Sequence, residues 1–331
     1  MKKDLTITDV AEALGISKTT VSRAISGKGR IGDETRQKVL TYIEENNYRP
    51  NPMAKGLANQ RTYNIAWVMP GDSSVSDLPF FQRCMVGIGE VTMPSNYDIL
   101  ICLVYEDNIS QLKRIVENKK VDGVILGRTL VNDNSIKYLK EKGVPFVVIG
   151  STQEKNVIQI DNDHIRACRE MTSILAMMGI QRMALIGGPL NHVVNNTRKK
   201  GFEEGLLAQG LDPEAGLMFL DNETNQDVER AVDHAILAGA ECIVCMDDRI
   251  CYVALRKLHS DNMVIPGDMK IVSFYNSDLL ANHQPAITAL QYDPKELGNV
   301  ACRTLLEVIE GNKVEMKTLL GYEVILRGST Q

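Results

Sequence analysis

The chain is 331 residues long, with 44% hydrophobic residues, 24% charged residues and a formal net charge of −5. That length and balance allow two or three domains with a sizeable core, and exclude collagen-like, disulfide-stapled and wholly disordered classes. No apolar run approaches the roughly 18 to 20 residues that span a bilayer. The opening residues, Met1 to Asp9, lack the apolar stretch of a secretory signal, so a cytoplasmic protein with no membrane partner is expected.

Charge is spread unevenly. The first 62 residues hold eleven basic and seven acidic side chains, leaving a basic head on an acidic body. Such asymmetry points to a polyanionic partner at one end. Seven cysteines (Cys84, Cys102, Cys168, Cys242, Cys245, Cys251 and Cys302) are an odd number scattered through apolar segments, and read as reduced, buried thiols. Cys242 and Cys245 form a C-x-x-C, but within a run that reads as a buried strand rather than the helix opening a redox motif needs.

In chain order, Thr6 to Asp9 matches a capping box opening a helix, with Val10, Ala11 and Leu14 on one face and Gly15 closing it. Ser17 caps a second helix whose inward stripe is Val21, Ala24 and Ile25, and Gly27 stops it. A third runs from about Asp33 to Asn46 and is expected to bury Val39, Leu40 and Ile43. Lys18, Thr19, Ser22 and Arg23 share the outward face of the second helix. Two helices joined by a short turn, the second polar outward, match a helix-turn-helix that enters a major groove. A small helical bundle with a solvated face fits the same spacing.

Next comes Tyr48-Arg-Pro-Asn-Pro-Met-Ala-Lys-Gly-Leu, whose prolines end the third helix and permit one short helix from about Pro52. With Gly56 inside it and only about two turns, that helix should not persist alone. Leu57 is apolar with little core to join: a wedge in a minor groove, with Lys55 near phosphates, accounts for it, and so does a plain linker.

The stretch from Thr6 to Ala24 and the run Arg49-Pro-Asn-Pro-Met-Ala-Lys-Gly-Leu resemble the DNA-binding head and hinge of lactose-repressor-like (LacI/GalR) transcriptional regulators. The resemblance implies that Lys18 and Thr19 choose the operator sequence and that Arg23 contacts a base. It puts Ser17, Thr20 and Ser22 on or near the DNA backbone, together with Thr6 and Asn51, and gives Lys55 and Leu57 the hinge roles.

From residue 63 short β-rich runs alternate with amphipathic stretches, the pattern of parallel sheets flanked by helices. Strand candidates are 64–69, 97–104, 123–126, 146–149, 183–186, 242–246, 271–274 and 287–291. A helix from about Pro294 to Gly311 follows, and Thr318 to Arg327 ends the fold. Leu78-Pro-Phe-Phe-Gln, Arg198-Lys-Lys-Gly-Phe and Glu296-Leu-Gly, among others, are similar to the same family's effector domain. The fold class expected is therefore α/β. A head (1–49) and hinge (50–62) join a two-lobed periplasmic-binding-protein-like domain (63–331), with lobes at about 63–161 plus 292–322 and 162–291 plus 323–331. A ligand would lie between the lobes, outside the carboxyl ends of the strands.

No phosphate-binding loop, nucleophile elbow or zinc motif is present, so no enzyme, metal or cofactor is expected. The resemblance implies an effector site containing Phe80, Phe81, Asp161, His192, Arg198, Asp247 and Tyr275. One of the two phenylalanines fits core packing as well, and Arg198 could form an ordinary ion pair. His192 reads more readily as a solvated loop residue. The chain departs from the family at Asp247-Asp248, usually Asn-Asp, and at Phe274-Tyr275-Asn276, usually Gly-Tyr-Asp. A usual acceptor carboxylate is thus replaced by Tyr275 while a new one appears at Asp247.

The expected activity is that of a transcriptional regulator, read as a repressor. A carbohydrate or related metabolite would control its grip on an inverted-repeat operator. With no leucine heptad after the last strand, a homodimer is expected. Three other readings are a solute-binding protein, which would lack the head, a catabolite-control regulator governed by a phosphorylated carrier protein, and an α/β enzyme.

Overall fold

The computed structural model describes residues 5–27, 29–48, 61–72, 78–213 and 217–331. It divides into two units, Met1–Tyr63 and Asn64–Gln331. Asn51, Lys55 and Leu57, with the rest of the expected hinge helix, lie outside the described residues.

In the first unit α1 (Ile7–Leu14) opens on a complete capping box. Asp9 N donates to Thr6 Oγ1 at 3.3 Å, and Thr6 N donates to Asp9 Oδ2 at 2.7 Å. Gly15, at φ 65°, closes the helix in the left-handed region. Helix α2 (Lys18–Ser26) begins on Ser17, whose hydroxyl accepts from Thr20 N at 3.1 Å, and α3 spans Asp33–Glu45. Val10, Ala11, Val21, Ala24, Val39 and Tyr48 form the core, with Leu14, Ile25 and Ile43 packed against it. Leu40, expected inside, is 38% exposed. It lies about 100° around the helix from Val39, and the inward stripe continues through Tyr42 and Ile43 instead. With so small a core, caps matter: each is worth about 1 kcal/mol.

The second unit begins with β1 (Asn64–Pro70), α4 (Leu78–Ser95), β2 (Asp98–Val104), α5 (Ser110–Glu117), β3 (Gly123–Leu126), α6 (Asn134–Lys142), β4 (Phe146–Ile149) and β5 (Ile158–Asn162). The chain continues through α7 (His164–Met177), β6 (Met183–Ile186), α8 (Val193–Ala208), β7 (Leu217–Phe219), α9 (Asn225–Leu237), β8 (Cys242–Cys245), α10 (Asp248–Ser260), β9 (Lys270–Ser273), α11 (Asp278–Ala281) and β10 (Thr288–Gln291). It ends with α12 (Pro294–Ile309), β11 (Lys317–Leu320) and β12 (Glu323–Ile325).

Two six-stranded sheets result among the described residues, in the orders β11-β5-β4-β3-β1-β2 and β12-β10-β9-β8-β6-β7. Neighbouring strands are parallel except β10 with β12. Strands β3, β4, β6 and β8 are buried along their whole length, as strands covered on both faces must be. The chain passes between the sheets three times, after β5, after β10 and after β11. Sequence periodicity missed β5 and the three-residue β7. It also read Thr318 to Arg327 as one terminal piece, whereas Gly321 and Tyr322 separate two strands that join different sheets.

Glycines let helices meet closely beside each sheet. A Cβ on Gly298 of α12 would collide with the Cys84 carbonyl of α4, and one on Gly87 with the Lys295 carbonyl. On the other sheet, a Cβ on Gly201 of α8 would come within 2.5 Å of the Ile165 carbonyl of α7. All seven cysteines are buried and free, and Cys242 and Cys245 lie in β8 as expected. No described helix is long and apolar enough to cross a membrane.

Candidate functional site

In the first unit the α1–α2 corner leaves one face of α2 to solvent. Lys18, Thr19, Ser22 and Arg23 are all exposed there, while Val21 and Ala24 point into the core. Thr6, Ser17 and Thr20 have local work: the first two cap helices, and the Thr20 hydroxyl lies 2.8 Å from that of Ser17. Their caps fix where the α2 face begins, so a groove-reading surface and the helix ends that hold it share residues.

In the second unit the carboxyl ends of both sheets surround a cavity of about 750 Å³. Gly127, Ile149 and Asp161 reach it from the first sheet, and Gly188, Asp247, Tyr275 and Gln291 from the second. All seven expected effector-site residues line it. A row of rings forms one wall. Phe81, buried on α4, lies 6.4 Å from Trp67 and meets Phe80 edge-on at 5.2 Å. Phe80 in turn meets Tyr275 edge-on at 6.2 Å. Tyr275 stacks on Tyr292 at 6.2 Å, and Tyr292 meets His164 edge-on at 4.8 Å. His164 and Tyr292 sit on the first two crossovers between the sheets, so this row links the pocket wall to the segments about which the lobes can move.

Arg198 lies in the second turn of α8, only 7% exposed, because the face it shares with Asn195 and Phe202 packs inward. Its Nε has no hydrogen-bond partner, and it forms no ion pair among the described residues. Asp161 is also buried. Its carboxylate accepts from Ser151 Oγ and Asn162 N, each at 2.8 Å, and lies 3.5 Å from His164 Nε2. Burial outweighs those donors and pushes the carboxyl up to about 6. Burial, then the charge of Arg198, holds His164 well below the ordinary imidazole range, so the ring is neutral at pH 7. Asn162 Oδ1, His164 Nδ1 and Ser277 Oγ, all in cavity-lining residues, are buried without partners.

Two expected residues differ from their sequence reading. His192 is not a solvated loop side chain: it is half-buried, and burial first, then Arg128, holds its imidazole below the ordinary value. The chain pairs with the other lobe here, Val193 N donating to Thr129 O at 3.2 Å and Val131 N to Asn191 O at 2.8 Å. Asp247, read as a new acceptor, instead caps α10 by accepting from Ile250 N at 2.7 Å. Its new carboxylate is thus engaged by the backbone, as a helix start favours.

Asn162, His164 and Ser277 were missed by sequence reasoning. The five histidines form no close pair in sequence, and β5 is too short to stand out. The one available signal was the Asp161-Asn162 pair at the close of an apolar run. No cluster of three or more metal-ligating side chains occurs among the described residues.

The family model "Bacterial regulatory proteins, lacI family" matches residues 6–51, and "Periplasmic binding protein-like domain" matches residues 172–330. The chain is 30% identical to the HTH-type transcriptional regulator DegA of Bacillus subtilis (strain 168), over 98% of each protein. It is 28% identical to catabolite control protein A of Streptococcus mutans serotype c, over 99% of this chain and 98% of that protein. Among solved structures, a transcriptional regulator CelR–cellobiose complex superposes with a TM-score of 0.74 at 26% identity, covering 98% of this chain and 99% of that one. With its head, its two-sheet body and its full-length relatives in agreement, the chain belongs to the lacI family of bacterial transcriptional regulators, a family of DNA-binding proteins rather than enzymes.

Proposed function

We propose that this regulator is a cytoplasmic repressor whose hold on DNA is set by a small metabolite, a carbohydrate or a relative of one, bound between the lobes of its body. The observation that carries this reading is the cavity of about 750 Å³ whose buried wall leaves hydrogen-bonding atoms unpartnered. Its volume is that of small-molecule sites, and buried polar atoms without partners are costly unless a ligand or water meets them. No residue is assigned a catalytic role.

The head would lay α2 in a major groove, with Lys18, Thr19 and Arg23 at base edges and Thr6, Ser17, Thr20, Ser22 and Asn51 at the backbone. Each good base-edge pair adds about 1–3 kcal/mol of discrimination, while phosphate contacts make affinity fall steeply with salt. Two heads on an inverted repeat need a dimer. Support comes from the edge strand β2, where Ile101, Leu103 and Tyr105 are 50%, 40% and 48% exposed and alternate along the chain. Such an apolar edge suits a second copy. Leu57 would enter a kinkable central step beside Lys55. A ligand touching both lobes shifts the balance between their arrangements, and so the distance between the two heads.

The test is to select an operator from random duplexes with the full chain, then follow its affinity by fluorescence anisotropy as metabolites are added. An inverted repeat whose affinity changes at least about tenfold with one metabolite is expected. A site without two-fold symmetry, or an affinity that no cavity ligand alters, overturns the reading. The similarity to catabolite control protein A over 99% of the chain favours a second reading, control by a phosphorylated carrier protein. That reading requires the carrier alone to raise operator affinity with no metabolite present.

A further inference from the structure

We propose that the cleft is built for a hydroxylated acid: a carboxylate or phosphate on Arg198, with neighbouring hydroxyls donating to Asn162 Oδ1 and His164 Nδ1. The inference rests on the effector reading above and names the ligand class that the pocket takes.

Three observations carry it. First, Arg198 is a cation 7% exposed whose Nε has no partner, and it forms no ion pair among the described residues. A buried charge is retained where something pairs with it, and a guanidinium fork matches a carboxylate or phosphate in two parallel hydrogen bonds.

Second, the acceptors that a neutral sugar's hydroxyls would use are already engaged. Asp247 caps α10, and Asp72 accepts from both terminal nitrogens of Arg128, at 2.9 and 3.3 Å. Asp161 accepts from Ser151 and from Asn162 N. Asn276 Nδ2 donates to Gln291 Oε1 at 2.6 Å, and Asn276 Oδ1 accepts from Arg327 at 2.9 Å. Tyr275, with burial holding its hydroxyl protonated, contributes a donor where an acceptor would serve a sugar.

Third, the unengaged buried acceptors are few and lie on the residues flanking one crossover. Asn162 Oδ1 and His164 Nδ1 have no partner, and both residues are at least nine-tenths buried and line the cavity with Arg198. With His164 neutral, Nδ1 can accept whenever Nε2 holds the proton, and the Asp161 carboxylate 3.5 Å from Nε2 favours that tautomer. One acid group and one or two hydroxyls would satisfy these three residues together. A neutral polyol leaves the guanidinium unpaired.

The test uses the full chain and matched triplets of glucose, galactose and mannose, each as the free sugar, the uronic acid and the 6-phosphate, measured by calorimetry. At least one acid should bind about 10- to 150-fold more tightly than its neutral parent, the span expected of a charge-assisted hydrogen bond. The uronic acid and the phosphate arms tell the two acid sources apart. Arg198→Met should erase the preference for acid, and Asn162→Ala should weaken acid and parent alike. Without any ligand, Arg198→Met should raise the melting temperature, because it removes a buried unpaired charge. A neutral sugar binding as tightly as its acid, no binding by any triplet, or a lower melting temperature for Arg198→Met overturns the proposal. A neutral sugar that binds and also changes operator affinity sinks this inference alone and leaves effector control standing. An acid that binds without changing operator affinity does the reverse.

Discussion

The head and the body solve opposite problems with the same physical rules. In the head a six-residue core holds three helices, and the polar groups named for function stand in solvent or in caps that bond to residues three positions away. In the body, extensive cores support two sheets, and the notable polar groups are buried with atoms left unpartnered. A surface that reads DNA can be laid out by one helix and its caps. A pocket that encloses a metabolite needs residues such as Phe80, Asp161, Arg198 and Tyr275, drawn from four separate segments and held rigidly.

Four substitutions would break or sharpen this contrast. The largest effect is expected from Gly298→Val, which drives side-chain atoms into the Cys84 carbonyl where α12 crosses α4. It should cost about 3 kcal/mol or more, read as a lower thermal midpoint of the body by circular dichroism. Removing two charges from the reading face, Lys18→Ala with Arg23→Ala, should weaken operator binding by about 100-fold and flatten its salt dependence. The body's melting should not move, because both side chains are exposed; a shift there would mean that the head's face does more than read DNA.

Asp161→Asn tests the buried wall. The carboxyl is raised to about 6 in the fold against 3.8 for the model value, so the folded state holds its proton more tightly. Stability from that carboxyl is therefore fully present below about pH 4 and is lost as pH rises through 6. The asparagine variant should be more stable than the parent by about 2 kcal/mol at pH 8, with the difference gone at pH 4, measured by urea unfolding across pH. The smallest effect is expected at Thr6→Ala, about 1 kcal/mol of head stability from the lost cap, with ligand binding in the body unchanged.

How much could be read without the structure follows the same division. The capping boxes, Gly15, Gly27 and the alternation of apolar stripes are local patterns, and they marked the head's helices to within a residue or two. Leu40 and Tyr48 went unread because which side of a third helix is buried, and whether the chain folds back after it, depends on two other helices. In the body most strands were legible as apolar runs covered on both faces. Strands β5 and β7 escaped because five and three residues carry too little periodicity.

The sequence by itself determined the fold class, the reading face of α2, the family, and the seven residues that line the pocket. Only the tertiary structure decided their chemical state. Asp247 turned out to be engaged in a cap, His192 pressed between lobes, and Arg198 buried without an ion partner beside Asn162 and His164. The reason is physical: helix caps and strand alternation are set by neighbours a few residues away. Whether a carboxylate, imidazole or guanidinium is paired, and so what it can still bind, depends on groups brought together from distant parts of the chain.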